Sequence, residues 1–368
     1  MKLMIDTHLD LAWNALSWKR DITLPLAEIN RQEAGQTDVP YRGNATVSLP
    51  ELRRGGLAVV LGTLMGRVPY QVGYQALAAS TLDHPSHAAA FGFAQGQLAY
   101  YRQLEREGQL RLIRSADGFN AHWQQWERST DAERLELPVG VIVAMEGADS
   151  IVNPEQVGLW FDEGLRCASL VHYGRSAYAV GTGDDGPLTP AGRRMLAEFD
   201  RVGMILDVTH LSDLSFFEAL DHFGGPLLAS HSNCRALVPD ARQFTDEQMR
   251  RIIARSGVVG VACDAWMLVP GYVRGETKRE VVRIEALADH IDHICQLAGN
   301  TQHVAIGSDL DGGFGTEQTP VGLDSIRDLQ KLDAILAGRG YTDEQIAMIF
   351  HGNWSAFFRQ HLPATDRT

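Results

Sequence analysis

The sequence predicts a (β/α)8 TIM barrel, read as one domain over 1–368. Three observations carry that reading: eight short apolar runs, helix punctuation between them, and an ionisable residue at the end of nearly every run. The chain has 368 residues, 45% hydrophobic and 21% charged, which is ample material for one large core. An open doubly wound sheet is the competing arrangement.

The runs are Leu3–Asp6, Leu57–Thr63, Val139–Met145, Cys167–Val171, Met204–Val208, Pro226–Ser230, Val258–Ala262 and Val304–Gly307. Each is apolar nearly throughout, as a parallel strand covered on both faces should be. Two excursions interrupt the alternation: 14–50 after the first run and 65–138 after the second. The second holds a helix at His87–Glu107 and a piece bearing Trp123 and Trp126. Further on, Asn153-Pro154 and Thr189-Pro190 set a cap residue before a proline suited to a first helical turn. Thr245-Asp246-Glu247-Gln248 has capping-box form, and Gly203, Gly224-Gly225 and Gly257 mark passages from helix to strand. No repeat or Pro/Ser-rich linker marks a second domain.

A formal charge of −13 argues against nucleic acid as a partner, because phosphate binding needs a basic face. Four cysteines without a CxxC pair fit a reducing compartment better than a disulfide scaffold. With no stretch of signal-peptide or membrane-spanning character, the expectation is a cytoplasmic protein without membrane contact.

The run ends carry the chemistry. The first reaches His8 and Asp10, the third Glu146, the fourth His172, the fifth His210, the sixth His231, the seventh Asp264 and the eighth Asp309. Each alone has an ordinary structural explanation, but seven such ends of eight describe a barrel active site. Alternate residues of a strand share a face, so His8 and Asp10 can converge on one ion. Imidazoles and carboxylates without thiolates favour Zn2+, or Mn2+ or Co2+. The set exceeds what one ion needs and suits two ions sharing Glu146, a pair able to deprotonate a water between them. The remaining histidines, including those of Asp289-His290-Ile291-Asp292-His293, read as solvated or packed positions.

The ordered set Asp6-Thr7-His8-Leu9-Asp10-Leu11, Met145-Glu146-Gly147, Asp207-Val208-Thr209-His210, Ala229-Ser230-His231-Ser232-Asn233 and Gly307-Ser308-Asp309-Leu310-Asp311-Gly312 resembles the renal (membrane) dipeptidase family of the amidohydrolase barrels. The resemblance runs from residue 6 to about Trp354. It implies His8 and Asp10 on one zinc, His210 and His231 on the other, and Glu146 bridging. It further implies that His172 contacts substrate and stabilises the oxyanion, that Arg242 pairs with the substrate carboxylate, and that Asp309 passes a proton to the leaving amine. Asp311 is placed behind these groups. A homo-oligomer is implied by the same analogy.

Two departures stand out. Leu9 replaces the family's usual Asn. Ala262-Cys263-Asp264-Ala265-Trp266 stands where the family has Asn-Phe-Tyr, whose tyrosine helps bind the dipeptide carboxylate. An acid at Asp264 would repel a carboxylate or prefer a cationic group. The expected activity is therefore hydrolysis of a dipeptide or similar small amide. Deacylation of N-acyl amino acids or lactone opening is the alternative, and a non-catalytic metal-binding barrel the third reading.

Overall fold

A computed structural model describes residues 1–69 and 81–366. Part of the 65–138 excursion therefore lies outside the described residues. Nine parallel strands form one sheet: β1 (Met4–Leu9), β2 (Leu57–Met65), β3 (Leu110–Leu112), β4 (Val139–Glu146), β5 (Leu165–Ala168), β6 (Ile205–Asp207), β7 (Leu227–Leu228), β8 (Val259–Val261) and β9 (Val304–Ile306). Their order is β7-β6-β5-β4-β2-β1-β9-β8, with β3 paired to the beginning of β4. An Ala229–Val259 bridge brings the ends together, so eight strands make a nearly closed barrel. Bonds from Ala229 N to Val258 O (3.0 Å) and from Gly260 N to Ala229 O (2.8 Å) seal the seam.

The strands form where the sequence can be buried on both sides. Every residue of β2 and of β4 is buried. Alternate residues then enter two apolar layers, since successive side chains of a strand point to opposite faces. Val59, Leu61, Ile142, Ala144, Ile205, Leu228 and Ala305 belong to one layer, and Val60, Leu64, Val141, Val143 and Met145 to the other. The helix Asn353–His361 closes on the first layer; Trp354 Nε1 donates to Ile306 O at 3.0 Å and Asn353 Nδ2 to Val304 O at 2.8 Å.

Several boundaries differ from the sequence reading. β1 continues to Leu9 rather than stopping at Asp6, and β7 is two residues long rather than five. β3 lies inside the 65–138 excursion, where no strand was expected. The helix His87–Arg106 stands where the sequence put it. The 14–50 excursion contains the helix Leu26–Glu33 and the start of the helix Leu49–Arg54. Buried Arg20 braces it internally, its Nε donating to Glu33 and its Nη1 to Asn14, both at 2.8 Å, and ties it to the barrel through Asp311, 3.4 Å from Nη1.

Candidate metal centre

The strand ends converge. The ligand atoms of His8, Glu146 and His231 lie within 4.8 Å of one another, as do those of Glu146, His172 and His210, and those of His8, Asp10 and Asp309. Glu146, the last residue of β4, sits at the middle. Its Oε1 is 3.1 Å from His210 Nε2 and 3.3 Å from His231 Nε2. Its Oε2 is 3.6 Å from His8 Nε2 and 3.8 Å from His172 Nε2. His8 Nε2 is also 3.5 Å from Asp10 and 3.7 Å from Asp309.

Loop geometry sets these side chains. Non-glycine residues rarely adopt positive φ, yet His210 (φ 69°) and Asp309 (φ 59°) both do at strand ends. Asp311 (φ 63°) faces elsewhere: it accepts from Thr46 N at 2.8 Å, Thr46 Oγ1 at 2.7 Å and Val47 N at 3.0 Å, anchoring the 14–50 excursion.

Hydrogen bonds behind the imidazoles orient them and, at His231, fix the tautomer. Ser230 Oγ donates to Asp207 Oδ2 at 2.5 Å, so it accepts from His231 Nδ1–H at 2.8 Å. The Nε2 of neutral His231 then presents a lone pair. Thr182 Oγ1 lies 2.9 Å from His210 Nδ1, within hydrogen-bond distance, and Thr63 Oγ1 donates to Asp10. Such partners orient ligands and raise their basicity.

The donor set fits divalent ions. His8 Nε2 and Glu146 Oε1 are buried with no hydrogen-bond partner among the described residues, an expensive condition for a protein-only site. A lone pair on His231 Nε2 facing the lone pairs of Glu146 Oε1 is repulsive unless a proton or a metal ion lies between them. Burial resists charging of His8, yet Glu146, Asp10 and Asp309 push its pKa up to about 10. Burial raises Glu146 and lifts Asp309 to about 7, with His8 opposing and Asp10 adding to both. Burial pushes His172, His210 and His231 well down, leaving them neutral and able to ligate.

Openness separates the residues into two kinds. The side chains of His8, Asp10, Glu146, His210 and His231 are 2–4% exposed, whereas those of His172 and Asp309 are 13% and 16% exposed. A cleft opens onto Glu146 and His172 and is also lined by Tyr173, Arg67 and Asp149. Arg242 is buried nearby; its Nη2 donates to His231 O at 2.8 Å and its Nη1 to Ser232 Oγ at 3.2 Å.

One family description covers nearly the whole chain: residues 2–362 match the model for membrane dipeptidase, peptidase family M19. This chain belongs to the membrane dipeptidase family. Among solved structures, a dipeptidase described as a metallo peptidase of family M19 superposes with a TM-score of 0.75 at 25% identity, covering 99% of each chain. A metallo peptidase from Rhodobacter sphaeroides, liganded with a phosphinate mimic of the dipeptide L-Ala-D-Ala, also gives 0.75 at 25% identity, covering 98% of this chain and 100% of that one. In sequence, an uncharacterised protein from the pqqA 5′ region of Klebsiella pneumoniae is 32% identical over 272 residues, 70% of this chain and 92% of that protein. Dipeptidase tcpJ of Claviceps purpurea is 28% identical over 217 residues, 58% of this chain, and the match spans 48% of its length. Family membership and the fold agree with the TIM-barrel reading.

The sequence-predicted residues His8, Asp10, Glu146, His172, His210, His231 and Asp309 are thus gathered at one rim of the barrel. Asp264 is not open to the site as a bare acid: it is buried and accepts from Trp266, Arg274 and Gln318. Tyr173, Thr182 and Arg274 were not singled out from sequence. Tyr173 at least adjoins His172, a neighbour that could have drawn notice. Among the described residues no helix is long and apolar enough to cross a membrane.

Proposed function

We propose that this protein is a binuclear metallo-dipeptidase, zinc being the expected ion, that hydrolyses the amide bond of dipeptides. The observation that carries the reading is the turning of both Glu146 oxygens toward different imidazoles, Oε1 to His210 and His231 and Oε2 to His8. In this reading His8 and Asp10 hold one ion, His210 and His231 the other, and Glu146 both. Divalent ions there supply Lewis acidity, which acidifies water at neutral pH and polarises a carbonyl.

The chain's own residues do the rest. Arg242, fixed by His231 O and Ser232 Oγ, keeps guanidinium donors for the substrate carboxylate. His172, more open than the ligands, donates Nε2–H to the developing oxyanion. Asp309, also partly open and 3.7 Å from His8 Nε2, accepts the proton of the attacking water and returns it to the leaving nitrogen. The phosphinate mimic of a dipeptide that liganded the Rhodobacter sphaeroides relative supports the substrate class.

The deciding experiment is metal content per chain together with a screen of dipeptides of both chiralities, N-acyl amino acids and lactones. About two ions per chain with dipeptide turnover is expected. Turnover of N-acyl amino acids or lactones alone, or one ion per active chain, would refute it.

A further inference from the structure

Arg274 is used nowhere in the reaction above, although it is anchored on Asp264, one of the strand-end residues. It lies in the loop after β8, ten residues beyond Asp264. The Asp264 side chain is 1% exposed, while that of Arg274 is 46% exposed. The buried carboxylate takes Nη2 of Arg274 at 2.7 Å, the Trp266 indole at 2.7 Å and the Gln318 amide at 2.7 Å. The guanidinium also lies over the Trp266 ring, 5.0 Å from its centroid. One edge and one face of Arg274 are therefore fixed. Its Nε and Nη1 make no hydrogen bond among the described residues, so donors remain at the solvent-facing edge.

Arg242 and Arg274 are held at the ends of neighbouring strands: Arg242 donates to His231 O, just beyond β7, and Asp264, the anchor of Arg274, follows β8. The two strand ends are joined by bonds from Ser232 N to Gly260 O at 2.8 Å and from Asn233 Nδ2 to Ala262 O at 3.1 Å. Cys263 N, next to Asp264, donates to Ser308 O at 2.9 Å, beside Asp309. Half-exposed ion pairs contribute little stability, and burying a carboxylate to make one is costly. Stability is a poor reason for this arrangement; holding a cation at the edge of the site is a better one.

Resting on the dipeptidase reading, we propose that Arg274 is a specificity-determining residue that takes a second anionic group of the substrate. Because its anchor Asp264 stands at the strand end next to His231, which holds Arg242, that group sits beside the α-carboxylate, as the side-chain acid of a C-terminal aspartate or glutamate. The enzyme then prefers dipeptides ending in an acidic residue to their isosteric amides.

The test uses metal-loaded full-length enzyme and matched dipeptides ending in Asp or Asn, and in Glu or Gln, of both chiralities. A charge-assisted hydrogen bond predicts a kcat/KM advantage of about tenfold or more for the acids, mainly through KM. Arg274→Met should bring the acid-to-amide ratio close to one, and Arg274→Lys should restore part of it. Asp264→Asn, which releases the guanidinium from its anchor, should lower the same ratio. Equal rates on acids and amides in the wild type would overturn the inference and leave the dipeptidase reading standing. So would a preference for an acid at the N-terminal residue instead. Absence of turnover on every dipeptide would overturn both.

Discussion

Replacing Ser230 with alanine tests how far the imidazole at His231 depends on what lies behind it. The hydroxyl has two tasks, donating to Asp207 Oδ2 at 2.5 Å and accepting from His231 Nδ1 at 2.8 Å. Asp207 Oδ1 keeps its bonds from Thr209 N and Ser230 N, both at 3.0 Å, so the main chain should hold. Two buried polar atoms would lose their partner, at about 1–3 kcal/mol each. Freed of its acceptor, the imidazole can also adopt the other tautomer, and loss of such a partner lowers metal affinity by about 10–100-fold. The assay is competition with a chromogenic chelator, alongside melting of the metal-free and metal-loaded forms. Ser230→Ala should lose affinity at one ion while the other binds nearly as before, and Thr182→Ala should weaken the same ion through His210. Wild-type affinity for both ions in Ser230→Ala would refute the tautomer argument.

Three further outcomes follow from the geometry. Asp309→Asn should keep metal and lose most of its turnover, whereas His231→Ala should lose metal as well; elemental analysis beside steady-state rates separates the two, and full activity in Asp309→Asn would remove the proton role. A Cβ at Gly307 would meet Ser230 O at 1.8 Å, so Gly307→Ala should cost about 3 kcal/mol or more in a denaturant melt, while Gly92→Ala, with nothing within 4 Å, should be neutral or stabilising. Burial, against a bond to Ala58 O, lowers His122 from 6.5 to about 4, so the unfolded chain takes up a proton first as pH falls. Stability should be full above pH 6.5 and fall by up to about 3 kcal/mol toward pH 4, a slope that His122→Gln should reduce in acid melts.

What the sequence disclosed was local. Buried parallel strands read as apolar runs, and the ligand-type residues stand at their ends, so β2, β4 and the rim could be found without coordinates. The cap at Thr189 and the box at Thr245 were legible because both obey short-range rules, and both form. Short elements were not: three residues of β3 carry no periodicity, and pairing with β4 alone makes them a strand. Asp309 and Asp311 are two residues apart with the same left-handed backbone; distant Thr46 and Val47 decide which one turns away from the histidine cluster. The meaning of Asp264 depended in the same way on Arg274 and on Gln318, 54 residues on. In the Asp289–His293 segment, Asp289 and Asp292 grip Arg339 at 2.7 and 2.5 Å while His290 accepts from Cys234 N at 3.1 Å, contacts that no spacing rule announces.

The pairing of β1 with β9 has a consequence for the chain during its synthesis. Asp6 is in register with Ile306, and the trio His8, Asp10 and Asp309 draws on both sides of that pair, roughly three hundred residues apart. A nascent chain still tethered to the ribosome carries His8 and Asp10 long before Asp309 exists. The meeting of these three residues therefore waits until translation has passed β9 and the earliest strand has found the latest.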